Sequence, residues 1–331
     1  MPERRPIDII RNSGGQMKVG PLGSESPVTA MCEIGGCLCA VTTDGIYEIK
    51  LPDQVDPGRT NIALQKSQRR ILAYGSDCEI VVRTLLTADV LFNPSYLGSA
   101  FDKKAAMDVT FSALGDLISM DEIAIGLESI MAGAMPPTSH DETLLVPSVP
   151  DIVARCETFI QKAHHAYLDL LRIAQLFYGD LGSKQVDRLL ELARGRHGEG
   201  AVLVRLLETV GPFLHFVRRS RHCVEHPKED QHIVVQDFTL CADGVIIPPT
   251  IEVIDKEKPH PRIGVLEFMK GVTNRLSGIF EMMVATLCGH NIQAPGGLPN
   301  VVMELTVEQR PASRVRFSYG FQDGDRQAPV K

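Results

Sequence analysis

Tryptophan is absent from this 331-residue chain, and aromatic residues make up only 5% of it. A chain so poor in large π-faces offers little for a continuous platform on which single-stranded bases stack. Nor is there a surplus of cations: 34 Lys and Arg against 41 Asp and Glu leave a formal charge of -7. Global attraction to a polyanion is thereby excluded, and any contact with nucleic acid has to use a local patch. No apolar run reaches the roughly 18 residues that a membrane span needs. The start, Met1-Pro2-Glu3-Arg4-Arg5-Pro6, is not followed by an apolar signal region, so we expect a cytoplasmic protein without targeting and with no membrane partner. A G-x-S-x-G elbow and an H-E-x-x-H pair are missing, and Gly20 to Gly23 and Gly271 to Gly278 lack the spacing and Lys-Ser/Thr ending of a phosphate loop. The common hydrolase motifs are therefore excluded.

What is present is an ordinary globular composition, 44% hydrophobic and 23% charged, long enough for one large domain or two modest ones. Cys32, Cys37, Cys39, Cys78, Cys156, Cys223, Cys241 and Cys288 are scattered mostly singly through apolar patterns and read as reduced core residues. Cys32, Cys37 and Cys39 flank a hairpin pattern and could converge on one face, but small apolar thiols on a buried strand pair explain them as well. Cys223 and His226 with His222 or His215 could contribute to a zinc site, but no second pair follows at ligand spacing. Neither a metal nor another cofactor is expected.

The pattern along the chain changes period several times. After a polar, Gly-rich start that we expect to be loose, Val28 to Ile34, Cys37 to Thr42 and Ile46 to Leu51 alternate like strands, separated by Gly35-Gly36 and Asp44-Gly45. An antiparallel meander follows from those turn dipeptides. Helical spacing begins near Leu72, is broken at Asn93-Pro94, and resumes from about Asp102. Ser119-Met120-Asp121-Glu122 reads as a capping box that restarts a helix to about Met131, and Pro136, Pro137, Pro147 and Pro150 mark an exposed loop or linker. The clearest amphipathic stripe is Val153, Cys156, Ile160, Ala163, Tyr167, Leu170, Ala174 and Phe177, predicting a helix over Asp151 to Phe177. On its polar side Gln161, His165 and Asp169 repeat every four residues, with His164 beside them: a solvated or bundle-facing stripe, or else the lining of a cleft. A shorter helix is predicted over Ser183 to Arg194, and a long one from Gly200 that Pro227 closes. His232 to Leu240 and Val245 to Ile254 alternate around Ala242-Asp243-Gly244, which predicts a hairpin projecting from the helices. Pro261 to Cys288 returns to helix, and Val301 to Val307 and Arg314 to Tyr319 read as strands before a polar tail from Gln322.

Cations and imidazoles gather at one place, Arg218-Arg219-Ser220-Arg221-His222-Cys223-Val224-Glu225-His226-Pro227. An imidazole can move protons near neutral pH, and a guanidinium can grip a phosphate by two bonds, so the pair suits phosphodiester cleavage without a metal. Arg221 followed after four residues by His226, with a polar His222 next to the arginine, resembles the R-x4-6-H motif of the HEPN superfamily, in which the motif sits near a helix end within an α-helical bundle. The motif spans six residues, and the helical context compatible with it runs from about Asp151 to Cys288.

That resemblance implies a mainly α fold: a HEPN-like helical bundle with small antiparallel β elements, namely the N-terminal meander, the inserted hairpin and C-terminal strands. The expected division is a β-rich segment 1–65, a helical region 66–135, a Pro-rich linker or loop 136–150, the bundle 151–290 with its hairpin 232–254, and a C-terminal hairpin and tail 291–331. The resemblance also implies RNA cleavage at a composite site formed by two motif copies in a homodimer. Arg221 would hold the phosphate, His226 would be the general acid or base, and His222 would orient the phosphate or its partner residue. Arg218, Arg219 and Lys228 would bind RNA. A toxin or defence effector of this kind could have a neutralising or regulatory protein partner. Lys228 stands where nucleotidyl-modified HEPN toxins carry a Tyr, so that mode of regulation is not expected.

Two further readings remain beside it. Arg221 and Glu225 at i,i+4 suit a surface ion pair, and cations near a helix C-terminus stabilise its dipole. A noncatalytic helical interaction module that keeps the motif for dimerisation or partner binding fits those features and the neighbouring Glu229 and Asp230. A small-ligand sensor with a pocket built from the β segments is the third. Geometry adds a condition: five residues of ideal helix turn through about 500°, leaving Arg221 and His226 about 140° apart. The helix must stop before His226 for the two to share a site, and Pro227 disfavours α geometry there.

Overall fold

Residues 5–13, 17–21, 26–133, 144–293, 300–311, 314–323 and 326–329 are described by a computed structural model of the chain. They fall into two units, Met1–Phe111 together with Ile292–Lys331, and Ser112–Asn291. The chain is mainly α with small antiparallel sheets.

In the first unit, β1 (Val28–Ile34), β2 (Cys37–Thr42), β3 (Ile46–Lys50) and β4 (Ser67–Leu72) form one antiparallel sheet in sequence order. Gly35 and Gly36, at φ 60° and 74°, make the β1–β2 turn, a conformation that side chains resist. Gly75 is needed for another reason: a Cβ there would lie 2.1 Å from the Thr42 carbonyl oxygen. The fourth strand corrects the expected helical region from residue 66. Arg69 and Arg70 lie in β4, with Arg69 paired to Glu48 of β3, and helix begins only at Glu79. That helix opens into a wider π turn over Val82–Leu86, where the Thr87 hydroxyl donates to the Val82 carbonyl at 2.8 Å. The polar start includes a helix, Pro6–Asn12, with Ile7 buried, rather than being loose throughout.

The C-terminal strands belong to this unit rather than forming a segment of their own. β10 (Asn300–Glu304), β11 (Phe317–Asp323) and β12 (Arg326–Pro329) form a second antiparallel sheet, so the expected polar tail from Gln322 continues as strand. The Tyr319 hydroxyl donates to the Leu91 carbonyl at 2.5 Å, and its ring stacks on Tyr96 at 4.1 Å.

Helix α1 (Lys103–Gly133) runs on without a restart. Ser119 is not a cap, since its hydroxyl donates to the Gly115 carbonyl within the helix at 2.8 Å. The division between units falls inside this helix and not in the Pro-rich segment. Residues 134–143 of that segment lie outside the described residues. Its later part is tied down: Ser148 Oγ and the Val149 amide donate to one Asp237 carboxylate oxygen at 2.8 and 2.9 Å, and Val149 is buried.

The second unit holds α2 (Ile152–Tyr178), α3 (Val186–His197), α4 (Val202–Glu225) and α5 (Val265–His290). α4 packs on α2, α3 and α5, and α2 also packs on α5. The stripe from Cys156 to Ala174 is buried as expected, but Val153 is 47% exposed. The inserted hairpin is larger than expected. β5 (Gln231–Gln236) pairs with β8 (Thr250–Asp255), which pairs in turn with β9 (His260–Gly264), while β6 (Thr239–Leu240) and β7 (Ile246–Ile247) form a separate small ladder. The three-stranded sheet lies against α4 and does not project. Alternate residues of β8, Ile251, Val253 and Asp255, are buried by that packing. β9 also takes the residues expected to begin the last helix, which starts at Val265.

Phe159 is fully buried and its ring meets Phe268 of α5 at 6.0 Å. Phe159→Ala should cost about 3–5 kcal/mol, through lost burial and the cavity left behind. Val153→Ala, at an exposed position, should stay within about 0.5 kcal/mol. Urea unfolding of the two variants checks the difference.

Candidate functional site

The buried face of α4 is Leu203, Leu207, Val210, Leu214 and Val217. Arg218, Arg221, His222 and Glu225 follow at i, i+3, i+4 and i+7, the spacing that puts side chains on one helical face. Arg219 is turned about 100° from Arg218 and faces the sheet, with Nε 3.9 Å from Asp255 and a terminal nitrogen 3.9 Å from Glu257. The helix ends at Glu225. His226 takes φ -132° and ψ 60°, and its amide still donates to the His222 carbonyl at 2.9 Å. Pro227 accounts for the stop, because its ring crowds α geometry in the residue before it. Lys228 and Gln231 then exchange backbone hydrogen bonds of 2.7 and 3.1 Å, reversing the chain into β5.

Arg218, Arg219, Arg221, His222, Glu225 and His226 line one concavity of about 340 Å³, whose remaining wall is His164 of α2. The motif residues therefore share a site once His226 has left the helix. The His222 and His226 rings meet edge to face at 5.0 Å. Arg221 pairs with Glu225, and both side chains are about one-third exposed, at 32% and 29%. Lys228 does not line the concavity, so the structure separates it from the other residues expected to bind RNA.

His164 is the residue whose place the sequence pattern obscured. It is 8% exposed, and its Nδ1 has no hydrogen-bond partner. Burial, with help from the cations of Arg221 and Arg218 and from His165, pushes its pKa down to about 4. Its signal lay in the apolar stripe rather than in the polar one: His164 is i+4 from Ile160 and i-3 from Tyr167, both buried. Asp169 also departs from the expected polar stripe. It is buried and pairs with Arg172 at 2.7 Å, while His165 is exposed.

The other candidates disperse. Cys223 is buried with Sγ 3.6 Å from the Ile254 carbonyl, and burial pushes its thiol up to about 11. His215 turns to Asp187 at 3.1 Å. Cys32 and Cys39 face each other across β1 and β2, pushed up by burial to about 12 and about 11. Among the described residues no group of three or more His, Cys, Asp or Glu side chains is placed to hold a metal ion. A second concavity, about 400 Å³, opens between α4, β9 and α5. Phe213, Phe216, His260 and Phe268 line it, with the Arg275 guanidinium 4.5 Å from the centre of the Phe213 ring.

The fold and site together define a helix-rich unit with a cation and imidazole concavity at one helix end. No protein-family model, no curated protein and no solved structure matches the chain. Among the described residues no helix is long and apolar enough to cross a membrane.

His164 gives the site a pH signature. A ring whose pKa falls from 6.5 to about 4 on folding is protonated in the unfolded chain before the folded one. Its contribution is therefore intact above pH 6.5 and is lost as pH falls toward 4, by about 3 kcal/mol in all. Unfolding free energies measured across that window should fall less steeply with acid in His164→Asn than in the parent.

Proposed function

We propose that this concavity cleaves RNA without a metal, in the manner of the HEPN motif that Arg221 and His226 resemble. The observation that carries the reading is the convergence of Arg218, Arg221, His222 and His226 on one hollow, made possible by the break in helix at His226. In this reaction the ribose 2'-oxygen attacks the adjacent phosphorus and gives up its proton, the bond from phosphorus to the 5'-oxygen breaks, and that oxygen takes a proton. The products are a 2',3'-cyclic phosphate and a 5'-hydroxyl end, and DNA is spared because it lacks the attacking group. Arg221 balances the charge that builds on the phosphoryl oxygens. His226 transfers a proton, His222 orients the phosphate, and Arg218 and Arg219 hold neighbouring phosphates. A homodimer with two motif copies facing one cleft completes the site, and a regulatory or neutralising protein partner fits a toxin or defence role.

One observation favours a noncatalytic interaction module instead. Arg221 is engaged by Glu225, and Arg219 faces Asp255 and Glu257, so two of the three cations have carboxylates nearby.

Labelled single-stranded RNA incubated with the protein in EDTA separates the two readings. Cleavage should survive chelation and leave 2',3'-cyclic ends. His226→Ala should lower the rate about 10²- to 10⁴-fold. Arg221→Lys should fail as well, because an ammonium cannot reproduce the two-bond guanidinium grip. His226 is exposed and Arg221 about one-third exposed at the helix end, so thermal unfolding should barely move. Undiminished cleavage in both variants, or none in the parent, would favour the interaction module. Sizing in dilute solution should return a dimer.

A further inference from the structure

Three residues that line this concavity, on two helices, each carry a buried nitrogen without a hydrogen-bond partner. Nδ1 of His164 on α2 and Nε of both Arg219 and Arg221 on α4 are buried and lack hydrogen-bond partners. Buried polar groups are rarely left so, and each such atom asks what completes it. Arg221 pairs with Glu225 and Arg219 faces Asp255 and Glu257, whereas Arg218 has no carboxylate paired with it among the described residues, so the ligand that fits brings negative charge for Arg218 as well as acceptors. A water molecule supplies only the second. A phosphoryl group supplies both, with several oxygens able to accept from N–H groups on different sides.

We infer that His164 is a phosphate-contacting residue of this site, with its ring as the floor of the concavity and Nδ1–H donating to a phosphoryl oxygen that Arg218 and Arg221 also hold. The inference rests on the RNA-site reading for the kind of ligand, and adds a contact from a second helix outside the motif. Burial, which keeps the ring neutral at pH 7, lets it donate one hydrogen bond without adding a fourth positive charge beside three guanidiniums. Helix α2 holds the ring in place, since Ala163 and Tyr167 on either side are buried. The ligand does not have to come to the exposed end of the motif alone; it has a rigid surface to rest on.

Full-length protein labelled with 15N at histidine tests this directly, titrated with inorganic phosphate, with adenosine 3'-monophosphate and with the DNA dinucleotide dTpT. None of the three can undergo the cleavage reaction. Each ligand that binds should move the His164 Nδ1 resonance. His164→Asn, whose amide nitrogen stands close to the place of Nδ1, should keep the affinity within about threefold, while His164→Leu should weaken it about tenfold, the scale of one hydrogen bond to a charged group. Should the Leu variant not fold, the resonance in the parent protein decides. The ranking of the three ligands distinguishes free phosphate, a terminal monoester and a backbone diester as the source. No binding of any ligand, or binding with an unmoved resonance and unchanged affinity in folded His164→Leu, overturns the inference. Binding without RNA cleavage would remove the nuclease reading and leave this contact standing; cleavage with a silent His164 would do the reverse.

Discussion

Pro227 sits immediately after His226 and denies it helical geometry, and much of the second unit depends on that denial. If α4 ran one turn further, His226 would continue around the helix, about 140° from Arg221. Instead it stands at φ -132° and ψ 60° beside His222, and the chain reverses between Lys228 and Gln231 into β5. The same stop sets where the sheet begins. With β5 launched there, β8 lies along α4 with Ile251 and Val253 buried, and Asp255 comes to face Arg219. One rigid residue therefore shapes both the concavity and the surface that supports it from behind.

Electrostatics in the concavity are divided between held and available charge. Asp255 accepts backbone amides from Glu257 and Lys258 at 3.0 Å each, so its carboxylate is oriented by the turn after β8. At 3.9 Å neither contact with Arg219 is a hydrogen bond, so the carboxylates of Asp255 and Glu257 offset part of the Arg219 charge without holding its guanidinium in one orientation. The Arg221–Glu225 pair is closer but partly exposed, and pairs of that kind contribute about 0–1 kcal/mol. A phosphate making charge-assisted bonds to the same guanidinium, at about 1.5–3 kcal/mol each, can compete with it. The ion pair is thus compatible with a site that keeps its arginine ordered until a stronger anion arrives.

Much of this was legible in the sequence, and the exceptions have physical causes. The stripe from Val153 to Phe177 predicted a helix over Asp151 to Phe177, within a residue of α2 at either end, because a long apolar period leaves little choice of structure. The gathering of Arg218, Arg221, His222 and His226 was also readable, from spacing and from Pro227. β4 was not, since Ser67-Gln68-Arg69-Arg70 has too few apolar residues to alternate and lies at a sheet edge, where pairing with β3 decides the outcome. The length of α1 was hidden by Ser119, whose hydroxyl can cap a helix or bond back within one, and only the surroundings choose. For His164 the sequence left a polar stripe and the lining of a cleft both open, because imidazole carries no fixed polarity in a pattern, and the residue does line a hollow. Its apolar neighbours at i-4 and i+3 pointed inward, while His165 and Gln161 pointed the other way.

Composition misleads in a related way, since it averages over the places where chemistry occurs. A net charge of -7 excludes a protein that is basic everywhere, yet three arginines and three histidines line one hollow. An aromatic content of 5% argues against an extended stacking surface, yet Phe213, Phe216 and Phe268 gather around a second hollow with His260. Both concentrations involve α4, and both arise from helical period rather than abundance. Phe213 and Phe216 stand three residues apart, and Arg218, Arg221, His222 and Glu225 follow at steps of three and four, so each set shares one side of the helix. A helix can assemble a local environment opposite in character to the chain that contains it, because burial sorts residues by angle and composition does not.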